Sequence, residues 1–247
     1  MKSRFSYLYL LLFLFSSCSK HYLKQKENFT HYAIKDSAVE SASTKNIISA
    51  YKTKMEGETE KVIATSTDIL TRNGDESTLG NFVCDALKFA ADSLFTCDKP
   101  DIIIVNRGGL RAELPKGNVI VSNIFELMPF ENEMVLTKIS GEKLESFLVL
   151  FENKKHPFFG AKIRITNDKV MEFLIDNKPL EKSKTYTLVT SDYLLNGGDN
   201  FTFLKESTSV IYSGKKIRDA IIDYCIYLTK NSKQIVPYID ERLKISK

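Results

Sequence analysis

The sequence predicts a single α/β domain with an α+β tendency, a mixed sheet covered by helices. Three observations lead there. Ile102, Ile103, Ile104 and Val105 form an unbroken β-branched run, the composition of a short strand buried on both faces. Phe82, Ala86, Phe89 and Ala90, and later Ile217, Ala220, Ile221, Tyr224 and Leu228, recur at helical spacing and give two helices one apolar face each. Strand and hairpin patterns are interspersed with these helices, which favours one mixed sheet over separate helical and sheet domains.

At 247 residues the chain is long enough for one good core. Its formal charge of +4 includes Lys2 and Arg4 of a leader, and no basic stripe of the kind nucleic acid requires is present. Residues 1–17 read as an export signal: Lys2 and Arg4, the apolar run 7–15, then Ser16 and Ser17. That run is too short to span a membrane comfortably. Cys18 follows directly, as in the bacterial lipobox, in which the cysteine is acylated and becomes the first mature residue. Phe15 departs from that pattern, standing where an aliphatic residue is usual. The expectation is an exported protein, lipid-anchored to a bacterial membrane through Cys18, with simple secretion as the alternative. Residues 18–36 are polar, with Lys20, Lys24 and Lys26, and read as a tether; residues 37–247 read as the folded domain. Once Cys18 is acylated, Cys84, Cys97 and Cys225 remain. Cys84 falls in an apolar helical pattern and reads as a buried hydrophobe, while a Cys97–Cys225 disulfide stays open.

In chain order, Ile47, Ile48, Tyr51 and Met55 predict a helix over 44–56, capped by Thr44, and residues 61–66 have strand character. A second helix starts near Leu79, behind a glutamate and two hydroxyl residues. Beyond the central strand come a turn and short strand over 117–121, a helical turn stopped by Pro129, a strand over 133–139 and a helix capped by Ser140-Gly141. Residues 161–166 and 170–175 pair as a hairpin, a second hairpin-like pair turns at Asn177-Lys178-Pro179 into a strand over 185–191, 192–201 form a loop, and 215–229 the last helix.

The central strand ends in Asn106-Arg107-Gly108-Gly109-Leu110-Arg111. In open α/β sheets ligands sit beyond the carboxyl ends of strands, and Gly108 and Gly109 allow a close backbone approach. Arg111 offers a planar charged fork for phosphate or carboxylate. Arg72, Asn132, Asp199, Phe130 and Tyr193 sit in comparable loops, the last shaped by Gly197 and Gly198. Two rings can sandwich a base, arginines can hold phosphate, and an aspartate can accept both hydrogens of a ribose diol; together they point to a nucleotide. A two-metal phosphoesterase needs several histidines and aspartates converging on its cations. Here His21 and His31 lie in the tether and His156 in a charged turn, so no metal site is expected in this chain. With no nucleophile elbow and no lysine-bearing phosphate loop either, no residue is assigned as catalytic.

The segments E-S-T-L-G-N-F-V-C-D-A-L, N-R-G-G-L-R, L-M-P-F-E-N and Y-L-L-N-G-G-D-N-F, in this order, resemble the C-terminal domain of the 5'-nucleotidase family over roughly residues 61–204. The resemblance implies a layered sandwich of mixed sheets and helices that binds nucleotide within a hydrolase family. It implies that Asn106 and Arg111 belong to the phosphate-side loop, with Arg72 as the upstream phosphate-side arginine. Phe130 and Tyr193 would stack the base, Tyr193 standing where phenylalanine is usual, with Asn132 on the base edge and Asp199 on the ribose. In that family a separate N-terminal metallophosphatase domain holds two metals and cleaves the ester. Nothing ahead of Lys61 is large enough to be that domain, and no Asp-x-His or Gly-Asn-His-Asp motif occurs. The expectation is therefore the nucleotide-binding component of a split 5'-nucleotidase-type phosphohydrolase in nucleotide catabolism. It would carry no cofactor of its own, and a separate metallophosphatase partner would bring two divalent metals. The alternative is a stand-alone nucleoside- or nucleotide-binding lipoprotein without a hydrolase role.

Overall fold

The structure, a computed structural model, describes residues 41–152 and 155–246, and Ile47–Lys247 group as one compact unit. The export signal, Cys18 and the tether over 18–36 lie outside the described residues.

Helix α1 (Ala42–Thr59) leaves its apolar Ile47, Ile48, Tyr51 and Met55 exposed. Strand β1 (Val62–Ser66) follows, then α2 (Thr78–Leu94), β2 (Ile102–Ile104), a 3-10 turn at Arg107–Gly109, β3 (Gly117–Ile120) and α3 (Val121–Leu127). Next come β4 (Glu133–Ser140), α4 (Gly141–Leu144) running into a 3-10 segment Glu145–Glu152, β5 (Phe158–Phe159), β6 (Ala161–Thr166), β7 (Lys169–Ile175) and β8 (Lys178–Pro179). The chain closes with β9 (Thr185–Ser191), α5 (Asp192–Leu195), short 3-10 turns, β10 (Ser209–Lys216), α6 (Ile217–Lys230) and β11 (Leu243–Ser246). Among the described residues no helix is long and apolar enough to cross a membrane.

Two sheets carry the fold. Five strands run in the order β10-β4-β9-β2-β5, with β2 parallel to β9 and the other pairs antiparallel. Four more run in the order β11-β6-β7-β8, with β11 parallel to β6. Because side chains alternate across a strand, β2 feeds two cores at once. Ile103 and Val105 pack with the apolar faces of α2 and α6. Ile102 and Ile104 turn the other way, onto Ile163, Ile165, Phe173 and Ile175 of the second sheet. The result is three layers, helices on sheet on sheet, and the isoleucine run is apolar throughout because both of its faces are covered. All three isoleucines of β2 are fully buried, each contributing roughly 2 kcal/mol of burial.

Helix α2 starts where the sequence places it, because the Ser77 hydroxyl accepts the Gly80 amide. The helix expected from Ser140-Gly141 is different: only its first turn is α, and the rest winds as 3-10. The reason lies in the apolar spacing, since Leu144, Phe147 and Leu150 recur every third residue, on one line of a 3-10 helix, and pack onto the second core. Strands β5, β10 and β11 were not legible in the sequence, and the hairpin expected through Asn177-Lys178-Pro179 is not made: Lys178–Pro179 form β8 on β7, while β9 joins β4 and β2 in the other sheet. The Cys97–Cys225 pairing left open by the sequence is not made: Cys97 is an exposed free thiol, and Cys225, like Cys84, is free and buried. Burial pushes both buried thiols up to about 12, which keeps them protonated and inert.

Candidate functional site

Asn106 leaves the carboxyl end of β2 buried, with extended backbone, and the next three residues coil into a 3-10 turn whose Gly109 amide returns to the Asn106 carbonyl at 3.0 Å. The two glycines serve side chains of the protein itself. A Cβ on Gly109 would lie 2.8 Å from the Asn106 amide oxygen, and one on Gly108 would lie 3.3 Å from the Asp199 carboxylate. With that space free, the Asn106 amide donates to Asp199 Oδ2 at 2.8 Å, joining loops 93 residues apart.

The second wall comes from the end of β9. Ser191 caps α5 by accepting the Leu194 amide, and this turn presents Tyr193. The chain then reverses at Gly197 (φ 85°), and Gly198 lies flat under the Tyr193 ring, where a Cβ would collide with the ring carbons. Asp199 is left in the left-handed region at φ 48°, a conformation costly for a residue with a Cβ. It is held there from both sides: the Tyr193 hydroxyl accepts the Asp199 amide at 3.2 Å and donates to Asp199 Oδ1 at 3.4 Å. The extra hydroxyl that distinguishes Tyr193 from phenylalanine is thus satisfied by the neighbouring carboxylate.

The third wall is the loop after α3. Pro129 cannot continue the helix, and Phe130, Glu131 and Asn132 follow. Phe130 is 42% exposed and Tyr193 43% exposed, large values for rings this close to a core. The loop is tied to the start of α6. The Ile217 amide donates to the Asn132 carbonyl at 2.9 Å, and the Glu131 carboxylate accepts from Lys216 and, at 2.5 Å, from Arg218. Those two cations hold the Glu131 carboxyl down to about 2, Lys216 more strongly. Arg218 is itself buried, with its guanidinium 4.1 Å from the centre of the Phe125 ring.

Asn106, Gly108, Arg111, Phe130, Asn132, Tyr193 and Asp199 line one hollow of about 320 Å³. Arg111 is exposed at its rim, its guanidinium donating to the Gly108 carbonyl at 3.4 Å and forming no ion pair among the described residues. Arg72 is the one side chain chosen from the sequence that does not line the hollow. Its guanidinium donates to the Leu110 carbonyl at 2.7 Å, so it braces the residue before Arg111. Arg107 braces the same loop from the other side, donating to the Arg72 and Gly74 carbonyls. The Arg107 amide in turn donates to Nδ1 of the buried His156 at 3.3 Å, which ties the loop to that histidine. Glu131, Arg218 and Asp192 were missed by sequence reasoning. The adjacency of Glu131 to Phe130 and of Asp192 to Tyr193 could have signalled two of them; Arg218 stands beside no chosen residue, and its partner Glu131 is 87 residues away.

An open hollow beyond the carboxyl end of a central strand, with two exposed rings, an unpaired guanidinium and a carboxylate on its walls, defines a small-molecule-binding α/β domain. The family described as 5'-nucleotidase, C-terminal domain matches residues 56–206. An apyrase from Tabanus yao is 26% identical over 202 residues, which cover 68% of this chain and 35% of the relative. A 5'-nucleotidase from Vibrio parahaemolyticus is 26% identical over 132 residues, 51% of this chain and 24% of that protein. The crystal structure of a 5'-nucleotidase precursor from Thermus thermophilus superposes with a TM-score of 0.71 at 23% identity, covering 83% of this chain and 43% of that one. The chain belongs to the 5'-nucleotidase C-terminal domain family, and its matches span about a third of the length of the Tabanus relative and about a quarter of the Vibrio one.

Proposed function

We propose that the hollow binds a nucleotide and that this chain serves as the binding half of a 5'-nucleotidase-type phosphohydrolase. Phe130 and Tyr193 take the two faces of the base, each stack contributing about 1 to 3 kcal/mol. Asn132 reads the base edge, Asp199 accepts the ribose diol, and Arg111 at the rim faces the phosphate. Hydrolysis then needs two divalent metals on a metallophosphatase partner, for which this sequence supplies no Asp-x-His or Gly-Asn-His-Asp motif. Holding the base and ribose lets the partner meet a fixed phosphate, and positioning of that kind contributes several kcal/mol in favourable cases, on the order of 7 at best. Export and lipid anchoring through Cys18 would set the pair at a membrane surface.

The observation that carries this proposal is the convergence of six side chains, taken from loops as far apart as 106 and 199, on one hollow of nucleotide size. Calorimetric titration with AMP tests the binding half, with one site per chain expected. A phosphatase assay with and without an exported metallophosphatase tests the other half, with AMP hydrolysis only when both proteins are present. No heat with AMP or adenosine would end the binding proposal. Binding without hydrolysis in any pairing would favour the stand-alone binding lipoprotein, and enzyme-like hydrolysis by the chain alone would overturn the division of labour.

A further inference from the structure

The rings of Phe130 and Tyr193 are carried by segments at the same end of a paired ladder, one entering β4 and the other leaving β9. Strands β4 and β9 are in antiparallel register as far as Met134 and Ser191, and there the ladder stops. Beyond it the two segments must be held at a fixed separation if a flat heterocycle is to fit between their rings, because stacking weakens steeply once the faces part. The Asp192 carboxylate sits at that point. Its Oδ1 accepts the Tyr193 amide at 2.7 Å and the Glu133 amide at 3.2 Å, so a single oxygen bonds the Tyr193 segment to the segment carrying Phe130 and Asn132, 59 residues away. Both bonds are charge-assisted, the strong class of hydrogen bond. The Asp192 backbone carbonyl is engaged as well, accepting the Asn196 amide at 3.0 Å and the Asn196 side chain at 2.8 Å, which fixes the turn on which the carboxylate stands.

We propose that Asp192 is a positioning residue that sets the gap between the Phe130 and Tyr193 rings, and so makes the site prefer base-bearing nucleotides over base-free sugar phosphates. This rests on the hollow being a nucleotide site. Asp192 is not among the residues lining the hollow and acts through the two rings. The rings can touch only a base, whereas Asp199 and Arg111 would meet the ribose and phosphate. A change in ring spacing therefore costs AMP its stacks, while ribose 5-phosphate loses at most the hold of the Tyr193 hydroxyl on Asp199.

The test is calorimetric titration of the full chain and its variants with AMP and with ribose 5-phosphate. Asp192→Ala is expected to weaken AMP binding about tenfold, the loss of roughly one stack, with a several-fold smaller loss for ribose 5-phosphate. Asp192→Asn keeps an oxygen in the same place and is expected to restore most of the AMP affinity. Should Asp192→Ala fail to fold, Asp192→Glu carries the same comparison, since it keeps the charge and displaces the carboxylate by one methylene. An equal loss for both ligands, or no rescue by Asp192→Asn, overturns the proposal while leaving nucleotide binding intact. A wild-type chain that binds neither ligand removes the nucleotide site itself, and this inference with it.

Discussion

Phe130, Tyr193, Arg111 and Asp199 surround the hollow, while Phe159, Tyr238, Arg242, Asp240 and Asp85 gather where β11 begins: two rings, one arginine and carboxylates in each place, put to opposite uses. Around the hollow the rings are more than two-fifths exposed and Arg111 has no ion pair among the described residues. Around β11 the Arg242 side chain is 6% exposed and spends its donors on the protein. It grips Asp240 with two bonds of 2.8 and 2.9 Å, and donates to the Phe158 carbonyl and to the Tyr238 hydroxyl, both at 3.0 Å. Tyr238 passes its own hydrogen to Asp85 at 2.5 Å. Glu76 completes the tie, accepting the Asp240 and Leu243 amides and so holding the C-terminal strand near the start of α2. The difference teaches that residue type does not distinguish binding from bracing. What distinguishes them is whether the guanidinium is already spent on carboxylates, because a site must keep some of its donors for the ligand.

That contrast can be broken most forcefully at Arg242. Arg242→Ala leaves Asp85 and Asp240 without their counter-ion and empties a buried site; because Asp240 is half-exposed, the cost is below that of a fully buried pair, on the order of 2 kcal/mol. Urea unfolding should show that loss, while the folded variant should keep its affinity for AMP. A large affinity change at unchanged stability would mean that the two clusters are not separate in function. Phe130→Ala is the mirror image. AMP affinity is expected to fall by roughly 1 to 3 kcal/mol, with stability nearly unchanged because the ring is so exposed. Thermal unfolding and calorimetry on one preparation decide it, and a large drop in melting temperature would make Phe130 a core residue after all. Tyr193→Phe is a finer probe. It keeps the ring and removes the hydroxyl that pins Asp199, so binding should weaken by about 1 kcal/mol, read as a several-fold rise in Kd for adenosine.

The smallest expected effect is in pH dependence, where the two regions should differ in sign. Burial raises the Asp85 carboxyl above the ordinary carboxylate range. The folded chain therefore holds that proton more tightly than the unfolded one, and the stability it contributes is complete below the ordinary value and lost as pH rises through the raised one. Glu131, beside the hollow, is held down to about 2 by Lys216 and Arg218. Its contribution is present above the ordinary carboxylate value and is lost as pH falls toward 2. Stability measured across the acid range should thus change slope in opposite directions for Asp85→Asn and Glu131→Gln. Parallel shifts would mean that one of these environments is misassigned.

Much of the architecture could be read from local pattern. The β2 run, the amphipathic α2 and the β6–β7 hairpin announce themselves because burial on two faces, burial on one face and a short turn each impose a period on neighbouring residues. Strand β10 is different. Its Val210, Ile211 and Tyr212 are exposed in succession along the sheet edge, so no alternation marks them, and the strand exists because β4 supplies its hydrogen bonds. Likewise β11 forms only through pairing with β6, some 80 residues earlier in the chain. The 3-10 winding after Leu144 depended on which of several apolar residues met the second core.

The hollow divides in the same way. By itself the sequence determined which residues could meet a ligand, because glycine pairs, a helix-stopping proline and polar strand ends are local signals that need no partner. Only the tertiary structure decided that Asn106, Asp199 and Tyr193 form one hydrogen-bonded unit, that Arg72 braces Leu110 instead of lining the hollow, and that Asp192 ties two ring-bearing segments together. The bonds that join these segments, Arg72 to Leu110, Asp192 to Glu133 and Asn106 to Asp199, link positions 38 to 93 residues apart. Nothing in the neighbourhood of either residue encodes such a partner; it is chosen when the layers pack and the buried polar groups find the atoms that can satisfy them.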